Sequence, residues 1–264
     1  MTETTATPET TEPEVLTEID GNVLVITLNR PKAKNAANAA MAQQMDAILT
    51  EFEANDSLYA AVITGAGKTF CSGMDLKGFL KGEKPSIEGK GFLALTQQTI
   101  SKPVIAAVEG YALAGGFETM LACDMVVAAD TAKFGIPEVK RGLAAAAGGL
   151  VTLPQRTHRA VAMEMALTGD IYPATFGKEN GFVNRIVEDG KALEGALELA
   201  RTIAANGPLA VKASKRIIVE SIDWSTEEKF AKQQEIVDPV FVSADAKEGA
   251  TAFAEKRAPR WTGK

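Results

Sequence analysis

Short runs of apolar residues alternate along the chain with longer segments in which apolar residues recur every three or four positions. Apolar runs of about four to eight residues bounded by Gly, Pro, Asn or Asp are typical of buried strands. We therefore predict strands at residues 23–28, 60–64, 104–108, 125–129 and 182–187.

Helices are predicted between and after these strands. A helix over residues 36–54 is indicated by apolar side chains at helical spacing, namely Met41, Met45, Ile48, Leu49 and Phe52. A later helix carries on one face Leu193, Ala196, Leu197, Ala200, Ile203 and Ala204. From Pro208 to about Lys256 the pattern is helical, without strand signals. This order predicts an α/β body over residues 14–207 and a helical C-terminal region over residues 208–264.

The formal net charge of −6 is concentrated at the N-terminus. Residues 1–20 contain six acidic side chains and no Lys or Arg, so the charges of the remaining chain cancel. Because this stretch has few apolar groups to offset the entropy of ordering, residues 1–13 are predicted to form a disordered acidic tail. The acidic balance also argues against a nucleic-acid partner, since such binding depends mostly on Lys and Arg.

The rare residue types exclude several kinds of site. The chain has one histidine, His158, and two cysteines, Cys71 and Cys123. A metal site of three or four His and Cys ligands is out of reach, and we predict no bound metal. A Ser-His-Asp apparatus could use only His158, and no Gly-x-Ser-x-Gly turn exists to present a nucleophile. His158 stands near a predicted helix start, where a capping or surface role is expected.

Cysteine content and hydropathy indicate the compartment. Two cysteines make no disulfide framework, which favours a reducing compartment. The longest uncharged run, residues 142–155, has 14 residues and falls short of the ~20 that span a bilayer. The N-terminus has no basic region followed by an apolar one, so no secretory signal is expected. We predict a cytoplasmic protein that does not associate with membranes.

One motif imitates a phosphate-binding loop, and a dinucleotide-binding motif is absent from the sequence. Residues 64–69 read TGAGKT, but the glycine that a phosphate-binding loop needs at the preceding position is Val62. No Gly-x-Gly-x-x-Gly opens a helix after a strand, so a dinucleotide site has no support. Lys212, Lys215 and Arg216 on a late helix are interpreted as a solvated face.

Two glycine-bearing turns, each after a predicted strand, are the best candidates for chemistry. They are residues 70–76, FCSGMDL, and residues 110–118, GYALAGGFE, with a helix expected to begin at Gly115. Unpaired N–H groups at a helix start carry partial positive charge and suit a developing oxyanion. The alternative is close packing of helix against strand. Residues 78–91 form one extended flexible stretch, predicted to be a lid or pocket wall.

Two glutamates accompany these turns. Glu118 falls in the first turn of the helix at Gly115, within an otherwise apolar run, and Glu138 follows Pro137. A carboxylate in an apolar run is costly unless it has a task, although the helix dipole alone also favours an acid there. Glu138 can equally be read as a surface charge. Paired carboxylates in a dry pocket can be tuned to opposite protonation states.

Five segments in this order resemble the crotonase, or enoyl-CoA hydratase/isomerase, superfamily. They are Asn29-Arg30-Pro31 with Asn35-Ala36, residues 61–77 (AVITGAGKTFCSGMDLK), residues 103–124 (PVIAAVEGYALAGGFETMLACD), residues 134–143 (FGIPEVKRGL) and residues 252–257 (AFAEKR). The resemblance covers about residues 14–264. It implies a spiral of ββα units with a helical C-terminal trimerisation region, assembled as a homo-oligomer, either a trimer or a dimer of trimers. It also implies an acyl-coenzyme A substrate, with no cofactor besides the coenzyme A that this substrate carries.

The family's catalytic positions match four residues of this chain. Its oxyanion-hole amides match Met74 and Gly115. The two glutamates of its hydratase branch match Glu118, the base that activates water toward C3, and Glu138, the acid that protonates C2. Met74 stands where typical hydratases have a small residue, so its side chain is expected to narrow the acyl pocket. Ala114 replaces the first Gly of a common Gly-Gly-Gly, and little effect is expected because its amide is not an assigned donor.

The family's coenzyme A contacts match three residues. Lys77 matches a position near the CoA phosphates. Phe253 and Lys256 match C-terminal residues that reach the CoA of a neighbouring subunit.

The resemblance implies a lyase that adds water reversibly to a trans-2-enoyl-CoA to give a 3-hydroxyacyl-CoA. The alternatives are a Δ3-Δ2-enoyl-CoA isomerase, carnitinyl-CoA dehydration and a non-catalytic acyl-CoA carrier. The presence of both glutamates argues against a carrier, because a pure binder has no need to desolvate two like charges.

Overall fold

A computed structural model of the chain describes residues 12–264, so most of the predicted tail, residues 1–11, lies outside the described residues. The strands are β1 (Val15–Asp20), β2 (Val23–Leu28), β3 (Ala60–Gly65), β4 (Ser86–Ile87), β5 (Gly91–Phe92), β6 (Val104–Val108), β7 (Tyr111–Leu113), β8 (Met125–Ala129), β9 (Lys133–Gly135), β10 (Ile171–Pro173) and β11 (Arg185–Val187). The α-helices are α1 (Ala39–Ala54), α2 (Leu76–Phe79), α3 (Gly115–Ala122), α4 (Gly149–Arg156), α5 (Arg159–Thr168), α6 (Ala174–Glu179), α7 (Ala192–Ala204), α8 (Pro208–Glu220), α9 (Lys229–Phe241) and α10 (Ala244–Glu255). Short 3-10 helices are Pro31–Ala33, Pro137–Arg141 and Ser221–Asp223.

The main sheet has the strand order β1-β2-β3-β6-β8-β11. β1 and β2 pair antiparallel, and every later neighbour pairs parallel. Parallel neighbours need crossover connections, and α1 supplies the one between β2 and β3. A smaller sheet, β10-β9-β7, and the β4-β5 hairpin lie outside the main sheet. The turns that follow β3 and β6 leave the main sheet from the same edge, because the carboxyl ends of parallel strands meet there.

Both faces of the main sheet are buried, which explains the almost wholly apolar strands. Along β3, Ala60 and Val62 belong to the apolar cluster that includes α7, whereas Ala61 and Ile63 belong to the larger core that includes α1 and α3. Successive side chains of a strand point to opposite faces, so the apolar residues on both faces of β3 are buried, each set in one of these two clusters.

Two predicted boundaries are wrong, and side-chain hydrogen bonds explain both. The first helix begins at Ala39 because the Asn38 side chain accepts a hydrogen bond from Met41 N at 2.9 Å and caps it. The strand predicted over residues 182–187 is limited to β11 (Arg185–Val187). Just before it, Val126 N donates to the Asn184 side chain at 2.8 Å, in place of a backbone partner.

An ion pair of Lys215 joins the helical C-terminal region to the α/β body, and the predicted position of this lysine was wrong. Lys215 on α8 was expected on a solvated face, yet its side chain is only 12% exposed. Its Nζ donates to Asp124 Oδ2 at 2.6 Å and to the carbonyl of Lys102 at 2.9 Å. Asp124 Oδ2 also accepts from Val104 N at 2.7 Å. The pair therefore joins α8 to the start of the central strand β6.

The last residues fold back onto this region. The buried Asp245 carboxylate of α10 accepts hydrogen bonds from Thr262 N at 2.7 Å and from Gly263 N at 2.9 Å. Trp261 Nε1 donates to the carbonyl of Ala205, at the end of α7, at 2.8 Å. Between residues 12 and 264, no helix has the length and apolar content needed to cross a membrane.

We expect Lys215→Ala to lower the free energy of unfolding by about 3 kcal/mol, because it leaves the largely buried Asp124 carboxylate without its cation. Arg216→Ala is the matched control on the same helix. It removes an exposed pair with Glu220, and we expect a change below about 0.5 kcal/mol. Urea unfolding followed by tryptophan fluorescence measures both variants, and equal losses would contradict the anchoring role of Lys215.

Candidate active site

One cavity of about 720 Å³ lies between the turn after β3, the start of α3, the 3-10 helix Pro137–Arg141 and the segment around β4 and β5. Four residues predicted from the sequence line it together, namely Met74, Gly115, Glu118 and Glu138. Its volume falls in the range of about 300–1,000 Å³ that small-molecule sites occupy.

The Met74 amide is directed away from its own supporting segment. Met74 forms a parallel bridge with Ala37, in which Ala37 N donates to Gly73 O at 2.8 Å and Asp75 N donates to Ala37 O at 2.8 Å. Consecutive peptide groups in an extended chain point to opposite sides, so the Met74 N–H points away from Ala37. Within residues 12–264 this N–H donates to no protein acceptor.

The second amide lies directly beside the first turn. Gly73 has φ +100°, and a Cβ placed on it would be 2.9 Å from the Ala114 Cβ and 3.3 Å from Gly115 N. Only glycine suits this position, because both the backbone angle and the space exclude a side chain. Gly115 is the first residue of α3, so its N–H has no partner within the helix. Two unpaired N–H groups on touching segments can hold one oxygen that gains negative charge.

The segment Asn29-Arg30-Pro31 with Asn35-Ala36, to which the sequence analysis assigned no function, holds the first turn in place. Asn35 is fully buried, accepts from Arg30 N at 2.9 Å and donates to the carbonyls of Ala66 at 3.0 Å and Thr69 at 2.6 Å. The Arg30 guanidinium donates to Asp75 Oδ2 at 2.9 Å, next to Met74. The Asn-Arg-Pro segment therefore positions the turn that carries the Met74 amide.

Glu118 is a buried carboxylate with two backbone donors. It is 4% exposed, and its Oε1 accepts from Ala147 N at 2.9 Å and from Gly149 N at 2.8 Å. Burial raises the pKa of Glu118, and the two N–H donors oppose that shift by stabilising the ionised form. The alanine-rich segment before α4 therefore supplies hydrogen-bond donors to Glu118, a function that its composition did not indicate.

Glu138 has a different environment. It lies half-buried on the 3-10 helix Pro137–Arg141, and its Oε2 has no hydrogen-bond partner among residues 12–264. Burial, with a further contribution from the charge of Glu118, raises the pKa of Glu138 to about 7, against the opposing charge of Arg141. At neutral pH a large fraction of Glu138 is protonated, so the cavity holds one carboxyl group with two N–H donors and a second carboxyl group that can give up a proton.

The residues matched to coenzyme A lie outside the lining of this cavity within the chain. Lys77 is exposed on α2, between Leu76 and Phe79, which do line the cavity. Phe253 is 88% exposed near the end of α10, and Lys256 ends that helix in a left-handed conformation with φ +56°. The structure of the single chain therefore brings the two glutamates and the two amides together but leaves these three residues apart.

The stretch predicted as a lid or pocket wall forms one side of the cavity. Residues 84–89, with Gly91 and Phe92 of β5, line it. Lys90 anchors this wall to α1 through an ion pair with Asp46 and a hydrogen bond to Thr50 Oγ1 at 3.2 Å.

The fold and this cavity define the class of protein. The chain belongs to the enoyl-CoA hydratase/isomerase family, whose model matches residues 18–264. The crotonase resemblance is thereby confirmed, and the mixed α/β body with a helical C-terminus agrees with solved structures of the family.

Three relatives show the degree of similarity. The carnitinyl-CoA dehydratase of Proteus mirabilis (strain HI4320) is 42% identical over 252 residues, which cover 92% of this chain and 96% of that protein. The enoyl-CoA hydratase EchA19 of Mycobacterium tuberculosis (strain ATCC 25618 / H37Rv) is 41% identical over 260 residues, which cover 94% and 96%. A crystal structure of enoyl-CoA hydratase from Mycobacterium tuberculosis H37Rv is 55% identical with a TM-score of 0.94, covering 96% of this chain and 100% of that chain.

Ala114 carries backbone strain at the centre of the site. Its φ of +52° and ψ of −130° lie in a region that favours glycine, and its N–H donates to the Gly135 carbonyl at 3.0 Å. A residue held in such a region costs of order 1–3 kcal/mol. The surrounding hydrogen bonds therefore impose this conformation on an unfavourable residue.

We expect Ala114→Gly to raise the free energy of unfolding by about 1 kcal/mol, because glycine adopts this conformation without a Cβ penalty. Ala112→Gly is the matched control, since Ala112 is fully buried in β7, and this change should lower the free energy of unfolding by about 1 kcal/mol. Chemical denaturation measures the two differences. A loss of stability in Ala114→Gly as large as in the control would show that Ala114 is not strained.

Proposed function

We propose that the chain is a lyase that adds water reversibly to a trans-2-enoyl-CoA to give a 3-hydroxyacyl-CoA. The observation that carries the proposal is one cavity that combines two unpaired backbone amides with two carboxyls in different environments. Family membership supplies the class of substrate, an acyl-CoA thioester.

The proposed roles follow from the donors at each group. The thioester oxygen accepts hydrogen bonds from the amides of Met74 and Gly115, which stabilise the enolate-like state. The ionised form of Glu118, which the two N–H donors stabilise, takes a proton from water while the water oxygen forms a bond to C3. The electron pair of the double bond moves toward the thioester oxygen and returns as C2 takes a proton from Glu138. The cycle then needs one proton to return from Glu118 to Glu138.

The isomerase and carrier alternatives make different demands on the two carboxyls. A double-bond isomerase needs one group that shuttles a proton, and the other carboxyl of the cavity would then be without a task. A carrier needs neither group, yet the chain buries both within one cavity, where like charges are unfavourable.

Carnitinyl-CoA dehydration breaks and forms the same kinds of bond. It is supported by the similarity of this chain to the carnitinyl-CoA dehydratase of Proteus mirabilis. Such a substrate would bring a trimethylammonium group into a cavity whose lining includes the guanidinium of Arg141 beside Glu138. The same lining also includes the carboxyl groups of Glu88 and Glu118, so its charges do not separate that substrate from a simple enoyl-CoA, and carnitinyl-CoA dehydration stays an alternative.

We also propose that the chain acts as a homo-oligomer, a trimer or a dimer of trimers, in which Phe253 and Lys256 contact the coenzyme A of a neighbouring subunit and Lys77 lies near its phosphates. Support comes from apolar side chains that the C-terminal region leaves more than 60% exposed, namely Ile218, Ile222, Phe230, Phe241, Val242 and Phe253. Exposed apolar surface on this scale is typical of an interaction face. Coenzyme A enters as part of the substrate, so no separate cofactor is proposed.

Glu118→Gln and Glu138→Gln should each lower hydration of crotonyl-CoA by about 10²–10⁴-fold, because each removes one proton-transfer role. CoA thioester binding should change little in either variant. The double variant should be scarcely slower than the slower single variant, because groups that act as a unit are not additive.

Loss of enoyl absorbance measures hydration, and calorimetry measures binding. Glu51→Gln, on the exposed face of α1, is the control for the same chemical change outside the cavity. An isomerase would show one severe and one mild variant in double-bond migration. Hydration that survives both substitutions would refute the assignment of the two acids.

The pH dependence of kcat/KM should report on Glu138. Hydration requires its protonated form, and burial raises its pKa to about 7, so the rate should fall as the pH rises through about 7. In Glu118→Gln the fall should shift to lower pH, because the charge of Glu118 no longer raises the pKa of Glu138. In Glu138→Gln this limb should be absent. Initial rates across the neutral range test this, and an unchanged limb in Glu138→Gln would contradict the assignment.

A further inference from the structure

Phe92 on β5 packs its ring against the residue that supplies the second proposed oxyanion donor. The side chain is only 5% exposed and lines the cavity of the candidate site. A Cβ placed on Gly115 would lie 2.6 Å from Phe92 Cζ and 2.9 Å from its Cε1 and Cε2. The tip of the ring therefore occupies the space that a side chain at position 115 would need.

The backbone conformation does not by itself require glycine at position 115. Gly115 is the first residue of α3, and helical angles suit alanine at least as well as glycine. Gly73 in the first turn differs, because its φ of +100° already disfavours a side chain. The ring of Phe92 is thus the constraint that excludes a side chain beside the Gly115 amide.

The segment that presents this ring is strained. Leu93 and Ala94 follow Phe92 with φ of +49° and +53°, and both are fully buried. Left-handed angles are costly for residues with a Cβ, and they persist only where the surrounding contacts impose them. Phe92 N donates to Thr96 Oγ1 at 3.0 Å. Leu93 N donates to the carbonyl of Pro85 at 3.0 Å. The chain therefore holds an unfavourable backbone at the point where it places the ring against α3.

Contact with an apolar ring has two consequences for a backbone donor. Gly115 is held at its nitrogen by the turn at Gly73 and at its Cα by the ring of Phe92, so the direction of its N–H is fixed. The ring also keeps water from this side of the amide. A hydrogen bond to a charged oxygen is stronger where water is excluded and the dielectric constant is low.

We propose that Phe92 is a positioning residue for the oxyanion hole, whose ring holds the Gly115 amide in line with the thioester oxygen and shields it from water. The inference rests on the proposed function, which assigns this amide to that oxygen. Phe92 acts on the reaction only through Gly115. Changes at these two positions must therefore be coupled.

A double-mutant cycle on the hydration of crotonyl-CoA tests the coupling. Phe92→Leu removes the tip of the ring and should lower kcat by at least about tenfold, more than it changes KM, because a small displacement of a positioned group is enough. Gly115→Ala drives a methyl group into the ring and should lower kcat by about 10²–10³-fold by displacing the donor. The double variant should be at least about tenfold faster than Gly115→Ala alone, because the methyl group fills the space that the ring has left. Losses that simply multiply in the double variant would overturn the inference.

Phe52→Leu is the matched control for the loss of a buried aromatic ring. Phe52 is fully buried on α1 and does not line the cavity, so this variant should lose stability in urea unfolding but keep its kcat. Equal losses of kcat in Phe52→Leu and Phe92→Leu would reduce Phe92 to a general structural role. Phe92→Tyr serves where Phe92→Leu does not fold. It deletes no atom and adds a hydroxyl at Cζ, the ring atom nearest to Gly115, so an unchanged kcat in this variant would contradict the contact.

The carbonyl stretching frequency of bound butyryl-CoA, labelled with ¹³C at the thioester carbon, measures the oxyanion hole without turnover. Donors at the oxygen lower this frequency. Phe92→Leu should lose part of the lowering, and Phe52→Leu should retain all of it. A lowering that depends on Phe92 in a chain that hydrates nothing would support the positioning role and refute the hydratase. Hydration with an unchanged frequency in Phe92→Leu would retain the hydratase and overturn the inference. No lowering in the unsubstituted chain would overturn both.

Discussion

The site depends on a single backbone bridge between two turns. Cys71 N donates to Tyr111 O at 3.0 Å, and Leu113 N donates to Cys71 O at 3.0 Å, so Cys71 and Ala112 form a parallel bridge beyond the edge of the main sheet. Each proposed oxyanion donor lies three residues after its partner in this bridge, Met74 after Cys71 and Gly115 after Ala112. Because the two turns are joined at equivalent positions, the spacing of the amides is set by backbone hydrogen bonding and does not rely on flexible side chains.

Two carboxyls of the same chemical type acquire different properties from their neighbours. Glu118 receives two N–H donors from the segment before α4, whereas Glu138 Oε2 receives none from the described chain. Donors stabilise an anion and burial destabilises it, so the balance differs at the two positions. The charge of Glu118 also raises the pKa of Glu138, which couples the two titrations. A division of labour between base and acid therefore needs no third residue.

Local patterns predicted the elements well and the long-range contacts poorly. Strands β6 and β8 have the predicted bounds because a short apolar run between turn residues has few other solutions. The resemblance to the crotonase family identified residues that share one cavity. The burial of Lys215 escaped prediction because its partner Asp124 is 91 positions away in the chain. The hydrogen bonds from Ala147 N and Gly149 N to Glu118 were not predicted either, because a backbone donor is present in almost every residue type and the sequence therefore does not identify it.

Side-chain contacts hold the C-terminal region to the α/β body at both of its ends, and they determine how this region can unfold locally. Lys215 holds its first helix to the body, and Trp261 holds its last residues to the end of α7. Between these points α9 has no buried residue. Chain termini ordinarily fray one residue at a time. Because the helices between these two contacts are held at both ends, we expect the segment to open as one cooperative unit in native-state hydrogen exchange rather than by progressive fraying from the terminus.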